Sequence, residues 1–373
     1  MKFVATCAFG IEAVLKREME GLSLNIIASE NGKIYFEGDQ ADLFKASIAL
    51  RTAERIFIVL GSQVVKSYDE LYDFIKTIDL KSYVSKKGKY LVLAKSVKST
   101  LYSLRDIQSI TKKAMIDNLT HAYKTNTFLE EEESYKFLID IQKDTCECWL
   151  DTSGDGLHKR GYRTKQGEAP IKETLAAALV LLSFYQKERV LYDPFCGSGT
   201  IPIEAAMIGK NMAPNLNRGF AFLKFPWIDL EAFKTVRKDF LQAIDQEANL
   251  TIIASDVDQN ILSVASENAF NAGVDDVIRF ELTRFEYQAF DKPYGIIITN
   301  PPYGIRLDTL EEAEVLYQKI AKRFTELKTY SLYMITSYPG IEGIIGKKAD
   351  RTRVLFNGNV KARYYQYYGP KPS

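Results

Sequence analysis

The run Asn300-Pro301-Pro302-Tyr303-Gly304 follows Gly295-Ile296-Ile297-Ile298-Thr299, a short apolar stretch of the kind that forms a buried strand. The residue types at this strand end suit one kind of chemistry. An amine attached to an aromatic ring is a poor nucleophile, because its lone pair is delocalised into the ring. Two acceptors that hold its N–H groups favour rehybridisation and stabilise the positive charge that develops on nitrogen. The side-chain oxygen of Asn300 and the carbonyl of Pro301 can supply them. Proline fixes φ and brings no competing N–H. Tyr303 offers a ring on which an extruded base can stack. Transfer of a methyl group from a sulfonium to such an amine is then chiefly a matter of in-line alignment. No strong base is required, since the acidity of the amine rises sharply as the methyl arrives. A proline-bounded turn ending a strand would have the same composition, so the neighbouring loops decide.

Two of them carry matching features. Asp193-Pro194-Phe195-Cys196-Gly197-Ser198-Gly199-Thr200 lies between a short strand and the apolar helix expected at residues 201–208. Its glycines let the backbone turn tightly and lie close to a ligand. Pro202 stands where a third glycine would complete a dinucleotide fingerprint, and no Gly-Lys-Ser/Thr follows, so neither a pyrophosphate turn nor a P-loop is indicated. A glycine turn preceded by an acid suits a nucleoside cofactor, with the Asp193 carboxylate near its cationic end. Ser255-Asp256-Val257-Asp258 follows the strand at 251–254, where sheets of this kind bind ribose hydroxyls. Asp256 is the better ribose ligand. Asp258 is either a second ligand or the cap of a helix beginning near Asn260.

Other reactive residue types carry less. Cys196 sits inside the cofactor turn, and only His121 and His158 exist as imidazole bases, so thiolate catalysis at carbon is disfavoured. Cys146 and Cys148 have no second pair to complete a zinc site, and no metal is expected. Trp149 and Trp227 suit a core or a domain contact. Tyr364, Tyr365, Tyr367 and Tyr368 suit strand residues packed on a sheet.

These loops need a parallel sheet beneath them. From residue 170 onward, short apolar runs at 190–192, 251–254 and 295–299 alternate with helical stretches at 174–185, 231–247, 260–272 and 313–327. That alternation predicts a doubly wound sheet, with Pro170 at the first helical position. The front half is different. A strand at 1–7, a helix at 10–18, a hairpin turned at Asn31-Gly32, a helix at 42–50 and a strand at 55–60 give a ferredoxin-like β-α-β-β-α-β order. A second α/β segment follows, and the glycine-rich, basic stretch 151–167 breaks the pattern like a linker. The expected division is a ferredoxin-like segment at 1–62, a second α/β segment at 63–152, a linker at 153–168 and a Rossmann-like domain at 169–373.

Composition bounds the setting. The four cysteines are too few and too scattered for a disulfide framework, which makes the cytoplasm the expected compartment. No run of about 18 apolar residues suits a membrane span. The net charge of +1 hides two basic regions. Residues 81–125 hold ten Lys/Arg against Asp106 and Asp117, and residues 341–373 hold seven against Glu342 and Asp350. Both fit a polyanion surface, and both also fit a solvated lysine-rich face.

The three loops resemble those of class I methyltransferases with an (N/D)-P-P-(Y/F) motif, which act on exocyclic amines of bases. Lys159-Arg160-Gly161-Tyr162-Arg163, then residues 169–177 and 193–200, resemble the THUMP-domain RNA methyltransferases over nearly the whole chain. The nearest resemblance is to the bacterial RlmL-like group, which methylates guanine N2 of large-subunit ribosomal RNA. It implies S-adenosylmethionine as cofactor, with Asp193, Phe195, Cys196, Gly197, Gly199 and Thr200 along its site. Asp256 would hold the ribose, and residues at the 170–174 helix start, Thr174 among them, would close one side. Asn300, Pro301 and Tyr303 would hold the base. The basic span falls in the THUMP segment, which implies RNA contacts from Lys86, Lys87, Lys89, Lys95, Lys98, Arg105, Lys112 and Lys113. One departure stands out. No acid occupies the usual adenine-reading position within 281–286, where Glu286 or a backbone group would substitute. Transfer RNA is the alternative substrate. A DNA adenine-N6 methyltransferase shares the loop chemistry but needs no THUMP segment, and a non-catalytic RNA-binding protein would not need intact loops.

Overall fold

The computed structural model describes residues 1–125, 127–163, 171–302, 310–358 and 360–371. The front half builds β1 (Lys2–Cys7), α1 (Glu12–Gly21), β2 (Asn25–Glu30), β3 (Lys33–Glu37), α2 (Gln40–Ala49), β4 (Ala53–Val64), α3 (Tyr68–Thr77), β5 (Lys89–Val97), α4 (Leu104–Tyr123), β6 (Ser134–Gln142) and β7 (Thr145–Asp151). Among the described residues these strands form one sheet of order β2-β3-β1-β4-β7-β6-β5. The ferredoxin-like unit and the segment after it therefore share a sheet. The long β4 joins them, pairing with β1 on one side and β7 on the other. A division at residue 62 falls inside that strand. The ladder shifts register between Val59 and Gly61, and the Cβ position of Gly61 lies 3.2 Å from the Phe74 ring. The strand can bend there because no side chain has to fit beneath α3.

The second half builds α5 (Glu173–Leu182), β8 (Leu191–Asp193), α6 (Thr200–Gly209), α7 (Leu230–Gln242), β9 (Ile252–Asp256), α8 (Gln259–Ala272), β10 (Ile278–Leu282), β11 (Ile296–Thr299), α9 (Leu310–Glu326), β12 (Ser331–Thr336), α10 (Ile341–Ile345), β13 (Arg351–Asn357) and β14 (Val360–Tyr367). The sheet order is β10-β9-β8-β11-β12-β14-β13. β10, β9, β8, β11 and β12 run parallel, and β14 returns antiparallel beside β12. The expected Rossmann-like architecture is present. The chain winds outward from β8 to β10 and then resumes at β11 on the other side. The crevice at the carboxyl ends of β8 and β11 is thus the topological switch point, the place such sheets bind ligands. β11 is buried throughout, as a central parallel strand with both faces covered should be.

α5 and α6 are buried almost all round. They lie in a hydrophobic core that continues from the front unit (Phe3, Leu15, Phe44) into the second (Ala176, Leu179, Ile203). Phe44 stacks on Phe222 at 5.4 Å, and the Asn215 amide donates to the Ser47 carbonyl. Trp227 donates its indole N–H to the Tyr83 carbonyl, a contact between the two halves. The stretch expected as a linker is half core. Arg160 and Tyr162 are buried, with Arg160 Nε 3.3 Å from Glu204 Oε1 and its guanidinium also donating to the Leu157 carbonyl and Asn215. α5 begins at Glu173, after Lys172, and Pro170 lies outside the described residues.

Candidate functional site

The carboxyl ends of β8, β9 and β11 open into a cavity of about 710 Å³. Its lining includes Asp193, Phe195, Cys196, Gly197 and Thr200 from the first loop, Asp256 and Asp258 from the second, and Asn300 and Pro302 from the third. Three loops far apart in sequence thus meet in space, because their strands are neighbours at the switch point of the sheet.

Hydrogen bonds tie these loops to each other. Thr299, the last residue of β11, donates its hydroxyl to Asp193 Oδ1 at 2.8 Å. The Gly197 N–H donates to Asp256 Oδ2 at 3.0 Å. Asp256 Oδ1 accepts the Val257 and Asp258 N–H groups, which points the second loop toward the first. Asp258 lines the cavity and also caps α8, accepting from the Asn260 N–H at 2.8 Å. Both roles open to it in the sequence are therefore compatible.

The two glycines differ. Gly197 has φ +52°, and open space surrounds its Cβ position, so a ligand can approach its backbone. Gly199, at φ +83°, caps α6, and its Cβ position lies 3.1 Å from Ala265 Cβ on α8. It is absent from the cavity lining, so its smallness serves helix packing.

Electrostatics mark Asp193. It is 1 % exposed. Burial pushes its carboxyl up to about 7, the charge of Asp256 adds to the rise, and the bonds from Thr299 and the Phe195 N–H oppose it. A buried carboxylate without a cation is costly, and a cationic ligand would relieve that cost. Burial also pushes the Cys196 thiol well up, chiefly by desolvation and then by Asp193 and Asp256, which makes it a poor thiolate.

Asn300 is 7 % exposed, lines the cavity, and its Oδ1 has no hydrogen-bond partner among the described residues. Buried acceptors are normally satisfied. Pro301 is buried beside it and Pro302 faces the cavity. Tyr303 lies outside the described residues.

Thr174 is placed elsewhere. Its hydroxyl donates to Glu54 Oε1 at 2.6 Å, across the boundary between the two halves, and within the 170–174 stretch it is Ile171 that forms the cavity wall. The helix start turns that face toward the front unit because Glu54 also meets Lys172 and His158 there, each at 3.2 Å.

Several contributors were not singled out from the sequence. Thr299 is one. Phe285 is another: it stacks on Phe195 at 5.7 Å and forms a wall in the region searched only for an acid. Glu286 lines the cavity but is paired with Lys319 at 2.8 Å, which holds its carboxylate below the ordinary range. Arg163 donates to the Thr200 hydroxyl and the Ile171 carbonyl, two residues of the cavity wall, and lies 3.3 Å from Glu173. A basic residue beside glycines suggests only a solvated linker.

A larger cleft of about 1100 Å³ lies between the two halves. Among the described residues, three ion pairs close within its lining, Lys159–Asp155, Lys224–Glu133 and Arg163–Glu173. None of the three loops reaches it, so the smaller cavity is the candidate chemical site. The eight basic residues expected on an RNA surface are all exposed. Lys86, Lys87 and Lys89 lie at or just before the start of the edge strand β5, Lys95 and Lys98 around its end, and Arg105, Lys112 and Lys113 on α4. Lys112 is 3.8 Å from Glu130, and Lys113 lies over the Tyr72 ring.

Comparison with known proteins bears on the whole chain. Residues 160–366 match the family model of the RMKL-like methyltransferase domain. Residues 2–57 match the RlmL ferredoxin-like domain and residues 65–151 the THUMP domain. A protein of Bacillus subtilis (strain 168), YpsC, provisionally named an RNA methyltransferase, is 43 % identical over 367 residues, covering 98 % of this chain and 95 % of that one. The crystal structure of a predicted N6-adenine-specific DNA methylase from Listeria monocytogenes str. 4b F2365 is 40 % identical, with a TM-score of 0.94, covering 99 % of this chain and 96 % of that one. SMU.472, provisionally named a methyltransferase and solved in complex with SAH, is 38 % identical, with a TM-score of 0.94, covering 100 % of this chain and 99 % of that one. With a sheet of this order, a cavity at its switch point and these matches, the chain belongs to the RMKL-like methyltransferase family, carrying RlmL ferredoxin-like and THUMP domains ahead of the methyltransferase domain.

Proposed function

We propose that this chain methylates an exocyclic base amine in RNA, guanine N2 of large-subunit ribosomal RNA, with S-adenosylmethionine as the methyl donor. The observation that carries the reading is the buried Asn300 Oδ1, an acceptor in the cavity wall with no partner among the described residues. An N–H of the target amine satisfies it, and the Pro301 carbonyl accepts the other.

The residues present suit the cofactor. Gly197 leaves open space for a close approach, Asp256 offers acceptors to ribose hydroxyls, and the buried Asp193 suits a cation. Bound there, S-adenosylmethionine supplies an electrophilic methyl group. The protein orients the amine and keeps its developing charge next to Asn300. Such preorganised acceptors are typically worth about 10²–10³ in rate. The SAH-bound relative supports this cofactor.

RNA as the polymer rests on the THUMP match and the name given to YpsC. The exposed cations of β5 and α4 are the proposed contacts of that domain. Transfer RNA is the alternative substrate. The name of the Listeria structure favours a second reading, adenine N6 of DNA, which Asn300 and Pro301 would serve equally well. Purified full-length protein incubated with labelled S-adenosylmethionine separates these readings. After that incubation, nucleoside mass spectrometry should find labelled N2-methylguanosine in ribosomal RNA taken from a strain lacking the gene. Label in DNA alone would reverse the choice of polymer, and label in transfer RNA alone would reverse the choice of RNA.

A further inference from the structure

The second basic region of the sequence takes no part in the cofactor cavity, yet the fold gives two of its side chains a defined place. Arg363 on β14 stands opposite Thr336 on β12. β12 in turn runs parallel to β11, with Met334 opposite Thr299. Thr336 lies two residues beyond that pair, so Arg363 stands beside the carboxyl end of β12, next to where the chain leaves β11 for the Asn300–Pro302 loop. Two inter-strand spacings, about 10 Å, separate β14 from β11, the strand that ends at this loop. Lys361 lies on the same face of β14, about 7 Å further out. Both side chains are exposed. Neither makes an ion pair or hydrogen bond with another described residue.

The space between them and the loop is occupied by an aromatic pair. Tyr338 is partly exposed and stacks on Tyr317 at 4.8 Å. The Tyr317 hydroxyl bonds to Thr336 at 2.6 Å and reaches the Pro302 carbonyl at 3.5 Å. The hairpin itself is held from outside. Its edge strand β13 places Val354 opposite Arg363 and Phe356 opposite Lys361. Those same two residues meet the loop between β1 and α1. Phe9 lies edge-on to Phe356 at 6.1 Å, and the Cβ position of Gly10, at φ +92°, falls 2.6 Å from the Val354 carbonyl oxygen. No residue larger than glycine fits that approach without displacing the strand.

We propose that Lys361 and Arg363 form a phosphate clamp for single-stranded RNA on the methyltransferase domain, braced by Phe9 and Gly10 of the front unit. The inference rests on the RNA reading above. A base held by Asn300 must leave its stack, and the backbone on either side of it then needs a cationic support close to the loop. Unpaired cations fixed two strands away from the strand that carries the loop meet that need, whereas the THUMP cations lie on the other sheet.

The test compares full-length wild type with the Lys361→Ala/Arg363→Ala double variant. Labelled S-adenosylmethionine is the donor, and ribosomal and transfer RNA from a strain lacking the gene are the acceptors. The KM for RNA should rise about tenfold or more, with the KM for the cofactor unchanged. The slope of log affinity against log salt should fall by about 1.4, the value for two single-strand phosphate contacts. The charge-keeping Lys361→Arg/Arg363→Lys variant should restore both. An unchanged RNA KM and salt slope in a variant that still methylates RNA would overturn the clamp and leave the RNA substrate standing. Failure of the wild type to methylate either RNA would overturn both.

Discussion

Replacing Asp193 with asparagine separates what this carboxylate does for the free protein from what it does for the cofactor. In the absence of a cation its carboxyl sits at about 7 rather than the ordinary 3.8, chiefly because it is buried. An acid whose folded value is raised destabilises the folded state as pH climbs from the unfolded value to the folded one. Between pH 3.8 and 7 the wild type therefore loses up to about 4 kcal/mol through this one group. Asparagine keeps an acceptor for the Thr299 hydroxyl and the Phe195 N–H without the charge. The variant should equal the wild type near pH 4 and exceed it by up to about 4 kcal/mol at pH 8, read from urea melts of ligand-free protein. Binding should move the other way. Wild-type affinity for S-adenosylmethionine should be level above pH 7 and fall about tenfold per pH unit below it, as the carboxylate takes up its proton. The variant should lose that pH dependence and bind about 10- to 100-fold more weakly at pH 8, the worth of a hydrogen bond to a charged group. Titration calorimetry at pH 6 and 8 measures both. Equal stability at pH 8, or cofactor binding as tight as wild type, would refute the role assigned to Asp193.

Other perturbations give equally direct readouts. Asn300→Ala should lower turnover by about 10²-fold or more with cofactor affinity largely kept, since only the acceptor for the amine is removed; single-turnover transfer alongside calorimetry checks it. Replacing Lys86, Lys87 and Lys89 with alanine should weaken RNA binding and flatten its salt dependence, by about 0.7 in slope for each phosphate no longer neutralised; filter binding across a salt series measures it. Glu54→Gln should remove an acid-sensitive contribution. Burial would raise the Glu54 carboxyl, but His158, Thr174 and Lys172 outweigh it and hold the group at about 2 instead of 4.5. The stabilisation, up to about 3 kcal/mol, is complete above pH 4.5 and disappears as pH falls toward 2. The difference between wild type and variant in urea melts should therefore shrink over that range.

What could be read from the residues alone depended on how local its cause was. The runs ending at Asp193, Asp256 and Asn300 were legible because a buried parallel strand must be apolar and must end in a loop whose residues need not be. The sharing of one sheet by the first two units was not legible. It depends on β4 finding β7 much later in the chain, and no local pattern encodes that pairing. Thr174 was misplaced for a similar reason. Its partner, Glu54, is 120 residues away in another unit. Gly199 looked like its neighbour Gly197, but one faces the cavity and the other packs on Ala265, a distinction made by the angle of α8. The hairpin of β13 and β14 reverses the parallel pattern, and its tyrosines announced only a packed strand.

The buried charges between the two halves bear on how the site is held. Arg160 with Glu204, and Arg163 with Glu173, are almost wholly removed from water. Such pairs add little net stability, because desolvation offsets most of the attraction, yet removing one partner costs about 3–5 kcal/mol. The apolar core that runs through both halves supplies the free energy of their association. What the charged pairs add is a single allowed geometry. Arg160 bonds to the Arg51 carbonyl in the front unit and to Glu204 on α6, while Arg163 bonds to Thr200 at the start of that helix and to Ile171 in the cavity wall. A shift of the front unit relative to the methyltransferase domain would thus have to break either the Arg160 bond to the Arg51 carbonyl or the buried ion pair that holds Arg160 on the helix carrying the cofactor turn. The same unit grips the β13–β14 hairpin through Phe9 and Gly10. The surfaces proposed to hold RNA and the cavity proposed to hold the methyl donor are therefore set at a fixed separation by residues that lie in neither.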